Sequence, residues 1–316
     1  MHCPAFVSNN NLWISLIAAG LSTGFLYSLI AIGYTLVYGV LRLINFAHSE
    51  VFMLGSFGAY FVLDHALGSG NAPGGALALL WIPVGIVAGG VAGGITAFGL
   101  ERVAYRPLRR RNAPRLTYLI SAIGASFFLM NLAAKEFGRP PVFIPKPALV
   151  SGTAVSICGA PIQQFSILVF IVAVAMLVFA DVVVNRTKLG RGIRAVAQDV
   201  DTANLMGVNI DRTIVTTFIL GGMLGGAAGC LWGMQYGVSY SMGFIPGIKA
   251  FTAAVLGGIG NLRGAMLGGV VLGLVEAISL KFISAQYQDV VAYVVLIAVL
   301  LVRPTGILGE RLGRVA

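Results

Sequence analysis

Long apolar runs separated by short polar intervals dominate this chain, at 12–40, 50–66, 77–100, 116–134, 165–181, 213–235, 246–260, 264–283 and 288–303. A helix needs about 20 apolar residues to cross the hydrocarbon core of a bilayer. The pattern therefore predicts an all-α, polytopic transmembrane helical bundle of about eight to nine spans. The first run is too long for one simple span, which predicts a helix plus a half-helix and a broken or re-entrant helix near 33–50. Glycines recur four apart, as in Gly85, Gly89 and Gly93, or Gly221, Gly225, Gly229 and Gly233, or Gly264 and Gly268. Small residues at that spacing let helix backbones approach where lipid gives no hydrophobic drive for association. The longest polar intervals are 135–164, with Pro140, Pro141, Pro145, Pro147 and Pro161, and 182–212. No internal repeat is evident, and 12–309 reads as a single domain.

Composition agrees with a membrane protein. The 316 residues are 58% hydrophobic and only 10% charged, against about 25% charged in soluble domains, and mean hydropathy is +0.90. The first run lacks a basic start and exceeds a signal h-region, so it reads as a retained helix. The net charge is +10, and basic residues crowd into three places: Arg102, Arg106, Arg109, Arg110, Arg111 and Arg115; Arg186, Lys188, Arg191, Arg194 and Arg212; and Arg303, Arg311 and Arg314. Basic loops beside spans follow the positive-inside bias, which puts these regions and the C-terminus in the cytoplasm and argues against a nucleic-acid partner. Counting spans back then places the N-terminus outside. Cys3, Cys158 and Cys230 are odd in number and have no metal-ligand spacing, and His2, His48 and His65 are too few to build a metal cage, so no metal is expected. No G-x-x-x-x-G-K-[ST] occurs, so this chain is expected to bind no ATP or other cofactor of its own.

The interval NRTKLGRGIRAVAQDVDTANLMGVNIDR, residues 185–212, carries the clearest local signal. Gly190 and Gly192 are expected to break the preceding helix, after which Ile193, Val196, Ala197, Val200 and Ala203 recur at helical spacing. Arg194, Gln198, Asp201 and Thr202 fall mostly on other faces, so a short amphipathic helix is predicted, ended by Gly207, with Asp211 capping the next span. Its apolar face is small and its polar side carries Asp199 and Asp201, which anionic lipid would repel. A groove on a soluble partner suits it better than the headgroup plane.

The stretch RLINFAHSE at 42–50 gathers Asn45, His48, Ser49 and Glu50 between two apolar runs. Three readings are open. Ser49 caps a helix and Glu50 complements its first turn; or the stretch is a helix break lining a translocation path, since irregular backbone at membrane depth must be buried in protein or face a cavity; or it is a plain cytoplasmic turn. Glu276 lies among Leu274, Val275, Ala277 and Ile278, so it should face the bundle interior or water, as a path residue or as the partner of a donor such as Lys281. Lys249 and Asp289, near span ends, are expected to snorkel to the interface. Trp13, Trp81 and Trp232 read as interface anchors or core.

Asp201-Thr202-Ala203 with Gly207 resembles the E-A-A-x-x-x-G coupling loop of ABC importer permeases, with Thr202 in place of the first alanine. The runs AIGYTLVYG at 31–39, INFAHSE at 44–50, KLGRG at 188–192, KAFTAAVLGGIG at 249–260 and RPTGILG at 303–309 are, in this order, similar to the high-affinity branched-chain amino-acid ABC transporter permeases, the shorter of two types. Ser49 stands where that family usually has glycine. The resemblance implies one ABC permease domain over 12–309 with a cytoplasmic coupling loop at 185–212, whose contacts would involve Gly190, Arg194, Asp199, Asp201, Ala203 and Gly207. It also implies a second homologous permease, two cytoplasmic ATPase subunits that use the ATP, and a periplasmic or extracellular protein delivering leucine, isoleucine or valine. The expected location is the bacterial cell (inner) membrane. A urea or short-amide permease, and a self-sufficient ion-coupled transporter resting on charges such as Glu276, remain as alternatives.

Overall fold

The computed structural model describes residues 7–43, 45–67, 77–147, 150–157, 160–303 and 305–309. His2, Cys3 and Cys158 lie outside them. The chain is built almost wholly from helices: α1 (Val7–Leu41), α2 (His48–Leu67), α3 (Leu77–Leu100), a π-turn (Glu101–Tyr105) running into α4 (Arg106–Arg110), α5 (Arg115–Glu136), α6 (Gln164–Arg186), α7 (Lys188–Gln198), α8 (Val200–Leu205), α9 (Ile210–Tyr236), α10 (Phe244–Gly257), α11 (Leu262–Ser279) and α12 (Gln288–Val302). Among the described residues, seven helical segments are long and apolar enough to span a bilayer: 12–41, 80–110, 115–136, 164–186, 210–236, 262–279 and 285–302. The apolar runs at 50–66 and 246–260 are α2 and the shorter α10, which has 14 residues.

Two features depart from the sequence reading. The run at 12–40 is one continuous 35-residue helix rather than a helix plus a half-helix. Close packing on α11 at Gly20 and Gly24, and on α2 and α9 at Gly33, keeps it helical, and the break falls later, after Leu41, where Arg42 takes a φ of 49°. The second departure is an antiparallel hairpin, β1 (Thr153–Ile157) with β2 (Ala160–Gln163), in the proline-rich interval. A bridge from Val142 to Val238 ties that interval to the chain leaving α9.

An internal repeat, not evident from sequence, emerges from the packing. α1 lies antiparallel along α11, with Gly20 and Gly24 against Gly273 and Gly269; α3 lies antiparallel along α9, with Gly89 and Gly93 against Gly226 and Gly222. α2 packs on α3 and α9, while α10 packs on α11 and α1. Each of these contacts maps onto another when α1, α2 and α3 are exchanged for α9, α10 and α11. α1 and α9 are themselves antiparallel, since Thr23 bonds Tyr236 while Gly33 meets Gly221, so the two three-helix units run in opposite senses through the membrane. Both units have one form: a long helix, a short irregular crossing, a helix that starts inside the bundle, and a return.

The π-turn has a local purpose. One residue beyond the α repeat re-phases the helix, and both Glu101 and Tyr105 turn inward and are buried. The glycine contacts set how closely the long helices approach, and a Cβ on Gly226 would overlap the Gly89 carbonyl. Gly226→Ala is expected to destabilise the bundle by about 1–3 kcal/mol, as overpacking does. Gly99→Ala, where an added Cβ meets nothing within 4 Å, should leave stability unchanged. Denaturation midpoints of the purified variants in one detergent provide the comparison.

Candidate functional site

The irregular crossings of the two units end at the same place. After Arg42 the chain turns back into the bundle, and α2 starts at His48 beside Gly33 and Gly225. Gly225 lies 15 residues from Ile210 and 11 from Tyr236 along α9, about 22 and 16 Å at 1.5 Å per residue. His48 therefore stands near mid-depth. From the other direction, 238–243 descends from the end of α9, and α10 begins at Phe244 against Ser49 and Glu50. A Cβ on Gly243 would lie 2.6 Å from the Ser49 carbonyl oxygen and 2.9 Å from Glu50 Oε2. The N-termini of α2 and α10, both bearing partial positive charge, thus converge on Ser49 and Glu50.

A buried polar cluster fills this point. Asn45, His48, Ser49 and Glu50 are each at least nine-tenths buried. Tyr105, delivered by the π-turn, donates to Asn45 Oδ1 at 2.7 Å. Ser126 of α5 donates to Glu50 Oε1 at 3.0 Å, and the Ser49 hydroxyl oxygen lies 3.3 Å from the same atom. Ser49 does not cap α2: it is the second residue of the helix, and its hydroxyl donates to the Phe46 carbonyl at 2.6 Å. The His48 ring sits edge-on to Tyr34, with centroids 4.7 Å apart. Asn45 Nδ2, His48 Nε2 and Glu50 Oε2 have no hydrogen-bond partner among the described residues. The cleft beside Asn45, lined by Tyr34, Thr35, Tyr38 and Phe251, measures only about 10 Å³, roughly room for one water. In this arrangement the point is closed to an amino acid.

Glu276 does not join this cluster. Its Oε1 lies 3.0 Å from Lys249 Nζ, and Tyr27 donates to Oε2 at 3.1 Å. Lys249 Nζ also reaches Asp289 Oδ1 at 2.6 Å. The ion network therefore joins α10, α11 and α12 to α1. Lys281 is not the partner of Glu276; its ammonium lies 3.9 Å above the Trp13 ring. Lys249 is buried rather than snorkelling, because a carboxylate on each of two neighbouring helices holds it inside. Trp81 is also buried, its indole N–H donating to the Pro145 carbonyl at 3.3 Å.

The basic interval forms two short helices where the sequence predicts one. The preceding helix ends at Thr187, not at the glycines. The Thr187 hydroxyl accepts from the Gly190 N–H at 3.1 Å and donates to the Val183 carbonyl, so α7 already includes Gly190 and Gly192. Gly190 is required because a Cβ there would overlap the Val183 and Val184 carbonyls. Arg194 is folded back, donating to the Val184 carbonyl and to Asn185 Oδ1. Asp199 separates α7 from α8 and caps α8, accepting from the N–H groups of Asp201 and Thr202 at 2.8 and 3.1 Å. The bond from the Thr202 N–H is the main reason its carboxyl stays below the usual carboxylate range. Ala203 is buried, whereas Asp201, Leu205 and Met206 are exposed, the last two by 87% and 80%. Gly207 follows with φ +81°, a left-handed turn suited to glycine. Asn209, not Asp211, caps α9; Asp211 pairs with Arg109 at 2.8 Å and Arg106 at 3.4 Å, and Arg109 also pairs with buried Glu101 at 3.0 Å.

Sequence reasoning missed Tyr105, Ser126, Gly243 and the pairing of Lys249. Only Lys249 carried a local signal, as an ammonium inside an otherwise apolar run that needs a buried carboxylate. The others are brought to the cluster by tertiary packing.

With this geometry in hand, the relatives are informative. The family described as "Branched-chain amino acid transport system / permease component" matches residues 16–300. The high-affinity branched-chain amino acid transport system permease protein LivH of Escherichia coli (strain K12) is 43% identical over 301 residues, 92% of this chain and 94% of that protein. The corresponding protein BraD of Pseudomonas aeruginosa is 44% identical over 298 residues, again 92% and 94%. A probable branched-chain amino acid transport permease of Methanocaldococcus jannaschii is 26% identical over 295 residues, 89% and 88%. No solved structure matches the chain. The chain belongs to the family of permease components of branched-chain amino acid transport systems.

Proposed function

We propose that this chain is the membrane-spanning permease subunit of an ATP-driven importer for leucine, isoleucine and valine. It works with a second homologous permease, two cytoplasmic ATPase subunits and a periplasmic or extracellular binding protein that delivers the substrate. Its location is the bacterial cell (inner) membrane, with the C-terminus in the cytoplasm. ATP is bound and hydrolysed by the partner ATPases, and this chain binds no cofactor. The observation that carries the reading is the pair Leu205 and Met206, held in the open between buried Ala203 and the left-handed turn at Gly207, on the arginine-rich side of a membrane bundle. Such a rigid apolar tip is what a separate motor needs to grip. Gly190, Arg194 and Asp199 build the support for that tip, and Asp201 lies beside it.

Substrate passes near Asn45, His48, Ser49 and Glu50. The converging N-termini of α2 and α10 suit the substrate carboxylate, as broken helices do in other transporters, and the free Oε2 of Glu50 suits the ammonium. Opening this point needs relative movement of the two inverted units, and the ATPases need only bind one arrangement more tightly than the other. Glu276 is assigned to the scaffold, held by Lys249, rather than to the path.

Proteoliposomes holding the full assembly should take up leucine only with ATP and binding protein present. Uptake driven by an ion gradient in the isolated chain, or competition by urea and short amides but not by isoleucine, would overturn the reading. Glu50→Gln is expected to lower leucine uptake about tenfold, from loss of one charge-assisted bond, with ATPase subunits still attached. For coupling, Leu205→Ala/Met206→Ala should reduce co-purification of the ATPases about tenfold or more while leaving the melting point of the isolated chain in place. For the scaffold, Lys249→Met strands a buried carboxylate and should cost about 3–5 kcal/mol, whereas Lys249→Met/Glu276→Leu should recover most of that stability. Failure of the double variant to recover would return Glu276 to the path.

A further inference from the structure

Between α3, α4, α8 and the start of α9 lies a cavity of about 620 Å³ that opens broadly to the surface, far larger than the cleft at the site. Its walls carry Arg102, Arg106 and Arg212 with the amides of Asn204 and Asn209, and Phe98, Ile210 and Val215 form its apolar side. One carboxylate faces it, that of Asp211, already engaged by Arg106 and Arg109. Arg102 and Arg212 make no ion pair among the described residues, and Arg106 Nε is buried without a hydrogen-bond partner. Three guanidinium groups against one shared carboxylate leave the cavity strongly cationic.

The cavity also continues into an apolar face. Val84, Val87, Val91, Ile95 and Phe98 are exposed along one side of α3, at spacings of three and four residues, and Arg102 is next in the same line. This is a straight apolar track about 21 Å long, from 14 residues at 1.5 Å each, leading to a cluster of arginines. A free anion would use the arginines and not the track. A soluble partner would not be expected to reach along a membrane-spanning helix. Guanidinium groups match phosphate oxygens through paired N–H donors.

We infer that this cavity binds the phosphate of an anionic phospholipid in the leaflet on the arginine side, with one acyl chain lying along α3. Arg102, Arg106 and Arg212 supply the guanidinium groups for the phosphate, and Asn204 lines the same cavity for the rest of the headgroup. The cavity wall includes Asn204 of α8 and the cap of α9, so a seated lipid also braces the mount of the exposed tip.

The test is native mass spectrometry on the purified full chain, titrated with phosphatidylglycerol or with phosphatidylcholine of the same acyl chains, with inorganic phosphate as competitor. Phosphatidylglycerol should bind tightly, phosphatidylcholine weakly, and inorganic phosphate should not displace the lipid. Arg102→Gln/Arg212→Gln should weaken binding about thirtyfold, roughly fivefold for each basic group removed. Arg110→Gln/Arg111→Gln, which removes two exposed arginines outside the cavity, should change it less than about twofold. Equal losses in the two double variants would overturn the inference, since any basic surface would then suffice. Displacement by millimolar phosphate would replace the lipid with a free anion. Cross-linking of an Arg102→Cys variant to an ATPase subunit in the full assembly, with no lipid retained, would give the cavity to a protein partner instead.

Discussion

Close backbone approach of α1 to α11 and of α3 to α9 is the constraint on which everything else in this molecule rests. Helices in lipid gain no hydrophobic energy from meeting, so they associate through van der Waals contact, and contact is closest where glycines face each other. Gly24 against Gly269 and Gly273, and Gly226 against Gly89 and Gly93, bring the long helices together. That tight frame encloses the two irregular crossings at 42–47 and 237–243. Outside such a frame their backbone groups would be exposed to hydrocarbon, where nothing satisfies them. Packing that looks merely structural is therefore what permits α2 and α10 to begin inside the membrane.

Charge within the bundle falls into two kinds. Glu276 and Glu101 are both buried, and each faces a cation: Lys249 for the first and Arg109 for the second. Each cation is shared with another carboxylate, Asp289 or Asp211, so these networks tie helices together and leave little to offer a solute. Glu50 differs. Its partners are the hydroxyls of Ser49 and Ser126, no cation lies within ion-pair distance among the described residues, and one oxygen is unmatched. The same residue type thus serves scaffold and proposed path, and the partner decides which.

Much of this was legible in the sequence, for reasons of scale. Span positions depend on length and apolarity summed over some twenty residues, and those sums survive any detail of packing. Asn45, His48, Ser49 and Glu50 were legible as a group because four polar residues between two apolar runs need a tertiary explanation. Their geometry was not, since Ser49 reads as a helix cap until the turn from Phe46 puts it two residues too far in. The partner of Glu276 was misread because Lys281 is near in sequence, while Lys249 is near only after α10 has folded back along α11. The inverted repeat was hidden for a similar reason. It is preserved in helix order and glycine contacts, which many sequences satisfy.

The attachment of α7 and α8 would carry a load on the proposed coupling tip to the buried cluster. Arg42, at the end of α1, donates to the Ala197 carbonyl of α7 at 2.7 Å, and Ile193, Val196 and Ala203 are buried in one hydrophobic cluster with Val37 of α1 and Ile214 and Phe218 of α9. The tip is thus fixed to α1 and α9 together. These are the long helices of the two inverted units, and they flank His48 through Gly33 and Gly225. α5, by contrast, touches few elements, chiefly α2 and the π-turn, yet it supplies the Ser126 bond to Glu50. A tilt of α1 against α9 would shift His48 relative to both glycines, while loosely held α5 could leave Glu50 without breaking a packed interface. The two movements together would expose the unmatched oxygen of Glu50 and the starts of α2 and α10.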